Sequence, residues 1–87
     1  MKQQLDVSTL PAPEPLTRIL DTLADMPEED WLSVRHSRNP QPLYSMLRGM
    51  QYCWQTVELA SDHFEILIWP ASWGLDPPAD SDRTPKA

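Results

Sequence analysis

Proline placement constrains the fold of this chain more than any other feature of its sequence. Pro11, Pro13 and Pro15 stand directly before one apolar stripe of helical spacing, and Pro40 and Pro42 stand before a second. Proline fixes φ and lacks a backbone N–H, so it suits the first turn of a helix but not a helix interior or a central strand. Each proline cluster therefore marks the start of a helix.

The residues after each cluster repeat with the period of a helix. We expect the first helix to run from Pro13 to the breaking pair at 26–27, and the second to begin at Pro40 with Asn39 as its N-cap and Gly49 near its C-cap. The two apolar stripes consist of Leu16, Ile19, Leu20 and Leu23 in the first helix, and Leu43, Met46, Leu47 and Met50 in the second.

Other parts of the chain carry the alternating or β-branched patterns of strands. Two short strands are predicted at Gln3–Val7 and Trp31–His36, each just before a proline cluster or after a helix. Two longer runs, Tyr52–Leu59 and His63–Trp69, are separated by the three residues 60–62, a length compatible with a hairpin.

The predicted order of elements is βαβαββ. A strand, a crossover helix and a second strand make the two strands parallel, whereas a hairpin makes the last two antiparallel. The fold class is therefore α/β (α+β), a two-layer sandwich with a four-stranded mixed sheet and two helices on one face. We expect the helices to pack on Val7, Val34, Ile66 and Ile68, and the other sheet face to lie open.

Length, charge and cysteine content limit the functions to consider. The 87 residues suffice for one domain, predicted at 1–70, and the Pro- and Asp-rich residues 71–87 are expected to form a flexible tail. A net charge of −6 spread along the chain argues against a nucleic-acid partner. With one cysteine, no leader-like stretch and no long apolar run, we expect a cytoplasmic protein without membrane contact.

The first junction resembles the opening of the SirA/TusA-like sulfur-carrier family. That family has Leu-Asp, then Gly-Leu, any residue and Cys-Pro-x-Pro before its first helix. The matching residues here are Leu5, Asp6, Leu10, Pro13, Glu14 and Pro15. The family's glycine falls on Thr9 and its persulfide-bearing cysteine falls on Ala12, so the carrier thiol is absent.

The second junction resembles a cysteine-less branch of that superfamily, domain-of-unknown-function family 2249. The branch has His, a polar residue, Arg, any residue, Pro, any residue and Pro-Leu between the second strand and the second helix. The matching residues are His36, Ser37, Arg38, Pro40, Pro42 and Leu43. The resemblance extends over roughly residues 4 to 70 and implies the βαβαββ fold, but the branch implies no defined activity.

The polar residues of both junctions should meet at one edge of the sheet. Parallel strands end at the same edge, where both helices begin, so a candidate binding edge consists of Thr9, Glu14, His36, Arg38 and Asn39. Helix N–H groups and Arg38 would suit an anionic group, or the edge would recognise a peptide, although Glu14 opposes an anion. Alternatively, Asn39 only caps a helix, His36 ends a strand and Arg38 pairs with an acid.

The remaining chemistry-bearing residues favour a binding role over catalysis. Cys53 is the one candidate thiol, but its apolar neighbours also fit a packed small side chain. Trp54, Trp69 and Trp73 are candidates for contact with another protein, or Trp69 and Trp73 hold the tail against the sheet. We therefore predict a non-catalytic accessory or interaction module with no cofactor and no metal. The alternative is an assistant of a sulfur-transfer or redox pathway, whose proteins would be its partners.

Overall fold

The computed structural model describes residues 2–11 and 14–78, which form a two-layer α+β sandwich. The strands are β1 (Lys2–Asp6), β2 (Trp31–His36), β3 (Tyr52–Ala60) and β4 (His63–Pro70). The helices are α1 (Glu14–Asp25) and α2 (Gln41–Gly49), and a 3₁₀ turn covers Ala71–Trp73. The expected βαβαββ order and the four-stranded mixed sheet are confirmed.

The sheet has the strand order β1-β2-β4-β3. β1 and β2 are parallel, so that Leu5 pairs with Val34, while β4 runs antiparallel to both of its neighbours. This order leaves β1 and β3 at the edges and places β2 and β4 in the centre. Tyr52 to Glu58 of β3 pair continuously with β4, and a β-bulge follows between Glu58 and Ala60.

The main core lies between the helices and one face of the sheet, as the apolar stripes predict. The four expected sheet residues are all fully buried there, together with Ile19 of α1 and Leu43 and Leu47 of α2. Burial of apolar side chains of this size stabilises the fold by roughly 1.5–3 kcal/mol each. The residues expected to share the core, Val7, Val34, Ile66 and Ile68, are confirmed there.

The sheet face without helices is less open than the sequence predicts. Trp31, Leu67 and Trp69 form a second apolar cluster on this face, and each is at most 5% exposed. The ammonium of Lys2 lies 5.6 Å from the ring centre of Trp31, and the indole N–H of Trp69 donates to the carbonyl of Gly74 at 2.9 Å. The chain that follows β4 therefore turns back against this face.

Both ends of α2 differ from the prediction by one or two residues. Its N-cap is Pro40, and no side chain caps it, so Pro42 takes the second helical position. At the other end, Gly49 is still helical and the left-handed residue is Gln51, with φ 66°. No helix in the described part of the chain is long and apolar enough to cross a membrane.

Candidate functional site

A groove of about 230 Å³ lies between the starts of the two helices. Its walls are almost entirely apolar because the proline rings and the first leucines of each stripe face one another there. His36, the last residue of β2, completes it. The apolar wall residues are Pro15, Leu16 and Ile19 of α1, and Pro40, Pro42 and Leu43 at the start of α2.

The start of α2 offers few backbone donors to a ligand. The N–H of Gln41 donates to the carbonyl of Asn39 at 2.9 Å, and the N–H of Leu43 donates to that of Pro40 at 3.0 Å. Pro42 between them has no N–H. The groups that usually bind an anion at a helix N-terminus are therefore already used or missing here.

The start of α1 follows the same principle. The Glu14 N–H donates to the carbonyl of Pro11 at 3.0 Å, and Pro15 has no N–H but contributes a buried ring. Glu14 also adds a negative charge to this first turn. Ala12 and Pro13, which carry the resemblance to the sulfur-carrier motif, lie outside the described residues.

His36 is the buried polar side chain of the groove, with 7% of its surface exposed. Its Nδ1 accepts a hydrogen bond from the backbone N–H of Arg38 at 3.1 Å. Burial, followed by the nearby Arg38 charge, lowers the pKa of His36 below its ordinary value of 6.5. The ring is therefore neutral near pH 7, and its proton is on Nε2 because Nδ1 is an acceptor.

The remaining residues of the predicted binding edge are exposed around the groove. Thr9 lies in the turn after β1, Glu14 opens α1, and Arg38 and Asn39 lie in the turn between β2 and α2. The structure thus brings both junctions to one end of the sheet, as expected. Arg38 makes no side-chain ion pair with any described residue, so its expected pairing with an acid is not observed in 2–11 or 14–78.

Asn39 does not cap α2 but joins a network that fixes the turn. The hydroxyl of Tyr44 donates to Asn39 Oδ1 at 2.6 Å, and it is also hydrogen-bonded to Thr56 Oγ1 of β3. Since the tyrosine proton is used on Asn39, the Thr56 hydroxyl is the donor in the second bond. Tyr44 also stacks on Trp54, with ring centres 5.2 Å apart.

Sequence reasoning missed Tyr44 and treated the groove leucines only as core residues. The position of Tyr44 in the sequence does not indicate that its hydroxyl bonds Asn39, which lies five residues earlier in the turn before α2. The sequence does indicate a groove at Leu16 and Leu43, because each directly follows a proline at the start of its helix, where the apolar stripe reaches the edge of the core. A stripe that begins beside prolines can therefore form a groove as well as a core.

Asp6, a motif residue, shapes the turn after β1. Its carboxylate accepts hydrogen bonds from the backbone N–H of Ser8 at 2.9 Å and from the Ser8 hydroxyl at 2.6 Å. These bonds, assisted by the Arg35 charge, lower the pKa of Asp6. A polar depression of about 490 Å³ beside it also contains Ser33 and Glu65, which are hydrogen-bonded at 2.8 Å. Several polar groups of this depression are thus already engaged within the protein.

The candidate thiol and tryptophans lie away from the groove. Cys53 is half-buried and pairs with Trp69 at the opposite end of the sheet from His36. Trp54 is on the helix side of the sheet, under Arg48. Trp73 is 41% exposed, whereas Trp69 is 1% exposed and therefore cannot contact a partner in this conformation. Among the described residues, no three His, Cys, Asp or Glu side chains are grouped as metal ligands.

Comparison with known proteins identifies one family. The model of the family described as Uncharacterized conserved protein (DUF2249) matches residues 4–70, which include both junctions and all four strands except the first residues of β1. The chain belongs to this family. No curated protein and no solved structure matches it significantly. The family resemblance of the second junction is thereby confirmed.

Proposed function

We propose that this family member is a non-catalytic interaction module that binds an extended segment of another protein in the groove between the helix starts. The observation that carries the proposal is the groove itself, an apolar opening with a neutral histidine at the end of a central strand. Solvent-facing apolar concavities favour binding because covering them removes apolar surface from water.

The size of the groove favours a side chain over a cofactor. Sites for drug-sized ligands occupy about 300–1,000 Å³. At about 230 Å³ the groove is smaller than that range and is suited to one or two apolar side chains of a peptide. Its proline rings form rigid walls, so little conformational entropy is lost when a segment binds.

Charge around the groove defines the rest of the partner segment. Arg38 is exposed on the α2 side and makes no ion pair with a described residue, whereas Glu14 is exposed on the α1 side. The anionic group that the sequence predicts at this edge is therefore proposed to be an Asp or Glu of the partner, next to its apolar anchor and on the Arg38 side. Helix N–H groups contribute little, because proline removes some and loop carbonyls accept others.

A displayed peptide library selected on the full chain tests this proposal. Enriched peptides should share an apolar residue followed or preceded by an acidic one. Pro42→Glu places a carboxylate in the groove wall at a helix position where Glu is favourable, so the fold should persist while peptide binding weakens at least about tenfold. Gln41→Glu, with the same charge change at the adjacent exposed position, is the control and should bind like the wild type.

Arg38→Ala separates the two parts of the recognition. This variant should keep the preference for an apolar residue and lose the preference for the acidic one, with binding weakened by about threefold to tenfold. Equal binding of the selected peptides by the wild type and Pro42→Glu would contradict the proposal, and so would selection that enriches no common sequence.

The more distant relationship, to the SirA/TusA-like superfamily, is part of the same proposal. It is supported by the order of the motif residues around Asp6 and Pro15 and by the βαβαββ succession. A partner from a sulfur-transfer or redox pathway would fit this relationship. Because Ala12 replaces the carrier cysteine, the module would assist such a pathway without carrying sulfur.

The second candidate function is sulfur transfer through Cys53. It is favoured by a cavity of about 550 Å³ that contains both Cys53 and the cation Arg48. Incubation with a cysteine desulfurase and labelled cysteine would then put label on the wild type and not on Cys53→Ala. An unlabelled wild type beside a labelled genuine carrier would reject this candidate.

A further inference from the structure

Strand β3 is an edge strand whose outer backbone groups are unpaired among the described residues. In its pairing with β4, Tyr52 lies opposite Pro70, and the next residue outward, Ala71, donates its N–H to Gln51 at 2.9 Å. Gln51 and Ala71 are therefore a hydrogen-bonded pair. Because hydrogen-bonded and non-hydrogen-bonded pairs alternate along two antiparallel strands, Cys53, Gln55 and Val57 also direct their N–H and C=O groups to β4. Those of Tyr52, Trp54, Thr56 and Glu58 therefore point away from the sheet.

This edge lacks the features that usually prevent strands from pairing with other chains. Natural edge strands are commonly short, or carry lysine or proline. The other edge strand, β1, has five residues and contains Lys2, whereas β3 has nine residues, no lysine and no proline. Its single charge is Glu58, and its one irregularity, the bulge, comes after Glu58. The segment from Tyr52 to Glu58 is thus regular and able to pair.

We propose that β3 pairs antiparallel with β3 of a second copy of this chain, with the two-fold axis at Thr56. This register places Thr56 opposite itself and Glu58 opposite Trp54 of the other copy, and all of these residues direct their backbone groups outward. The arrangement is isologous, so each contact away from the axis occurs twice. The inference does not depend on the proposed groove function.

Charge complementarity identifies a second copy as the occupant of this edge. The Arg48 guanidinium lies 5.8 Å from the ring centre of Trp54, on the helix side of the sheet. Glu58 is exposed on the same side, four residues along the strand from Trp54. Neither Arg48 nor Glu58 forms an ion pair with a described residue. In the proposed register each Glu58 approaches the Arg48 of the other copy, and two such pairs form.

The exposed apolar residues near β3 agree with this arrangement. Antiparallel pairing brings the end of one strand to the start of the other. Leu59, 49% exposed, is at the end, and the cavity of about 550 Å³ beside Cys53 and Leu75 is at the start. Leu75 is itself 88% exposed. The second copy would cover apolar surface at both ends of the paired strands, in addition to the backbone hydrogen bonds at their centre.

Sedimentation velocity on the full chain, from about 1 µM to about 1 mM, tests the pairing. The wild type should pass from its monomer mass of 10.0 kDa to twice that value as concentration rises. Arg48→Glu and Glu58→Arg should each raise the dimer dissociation constant at least about tenfold, because each puts like charges together at two symmetric positions. The double variant should restore dimerisation.

The matched control is Arg18→Glu, which makes the same charge change as Arg48→Glu on the exposed face of α1, and it should dimerise like the wild type. All the substituted positions are exposed, so the fold should tolerate them. A wild type that remains at 10.0 kDa over the whole range would overturn the proposal. Failure of the double variant to recover would overturn the proposed register.

Discussion

Replacement of Tyr44 by phenylalanine should destabilise the domain through two hydrogen bonds and not through packing. Phenylalanine keeps the ring that stacks on Trp54 but lacks the hydroxyl that bonds Asn39 and Thr56. An intramolecular hydrogen bond contributes about 0.5–1.5 kcal/mol net, and the bond to exposed Asn39 belongs at the low end of that range. We therefore expect the free energy of unfolding to fall by about 1–2 kcal/mol.

Urea unfolding followed by tryptophan fluorescence, with thermal unfolding in parallel, measures this change. In a domain of this size 1 kcal/mol corresponds to about 4–8 °C in Tm, so Tyr44→Phe should lower Tm by about 4–16 °C without changing the urea m-value. Thr56→Val supplies the second side of a double-mutant cycle. The decrease in the free energy of unfolding caused by Thr56→Val should be smaller by about 1 kcal/mol in the Tyr44→Phe background, since the Tyr44–Thr56 hydrogen bond is then already absent.

Two results would refute this account of the network. One is a Tyr44→Phe protein within about 0.3 kcal/mol of the wild type, which would mean that water replaces the hydroxyl contacts without loss. The other is strict additivity of Tyr44→Phe and Thr56→Val. Because Asn39 lies in the turn beside the groove, the same variant should also weaken peptide binding if the network holds that turn in place.

Three further predictions concern His36 and the C-terminal end of α2. The pKa of His36 is below 6.5 in the folded protein, so as the pH falls the unfolded chain binds a proton at this residue before the folded chain does. The contribution of His36 to the free energy of unfolding is therefore fully present above pH 6.5 and decreases as the pH falls towards the folded pKa. His36→Asn, which keeps an acceptor for the Arg38 N–H, should remove that part of the pH dependence in urea unfolding at pH 5 to 8; identical pH profiles would contradict it. Gln51→Gly should stabilise the domain by about 0.5–1 kcal/mol because φ is 66° there. Gly49→Ala should stabilise it by about 1 kcal/mol, since a Cβ at this helical position meets nothing within 4 Å, and a loss of stability in either variant would refute the local geometry.

The sequence predicts the elements well wherever one periodicity dominates. β2 has the predicted bounds, because Trp31–His36 is limited by an acidic turn on one side and a polar turn on the other. The start of α2 was wrong by one residue, since either Pro40 or Pro42 can occupy a first turn and the pattern does not distinguish them. Gly49 was predicted near the C-cap, and it is the last helical residue with Met50 as the C-cap, whereas the left-handed conformation falls on Gln51.

The two faces of the sheet show a different limit of sequence reasoning. Alternation along β4 correctly separates Ile66 and Ile68 from Leu67 and Trp69. It does not decide what covers the second set, because the tryptophans fit either a contact with the tail or one with another protein, and the structure has Gly74 accept the Trp69 indole N–H. The expected tail therefore contains a local contact at 71–78, while residues 79–87 lie outside the described part of the chain.

The placement of the two junctions could be predicted from the sequence, whereas a binding role for their residues stays a prediction. Parallel strands and helix-starting prolines sufficed to bring both junctions to one edge, and His36 and Arg38 do lie there. The sequence shows which first-turn residues are prolines without an N–H, but it does not show that loop carbonyls accept the N–H groups of Glu14, Gln41 and Leu43. The same prolines that made the edge recognisable also make it apolar.

The central claim is that the groove between the helix starts is the binding surface. It is tested most directly by titrating a peptide from the library selection into the isotopically labelled full chain and following backbone amide chemical shifts. The account predicts that the largest changes occur in 14–20 and 36–44, with saturation in the wild type and in Gln41→Glu but not in Pro42→Glu. Shifts centred on β3 or on the tryptophan cluster of the other sheet face, with none around His36, would contradict it.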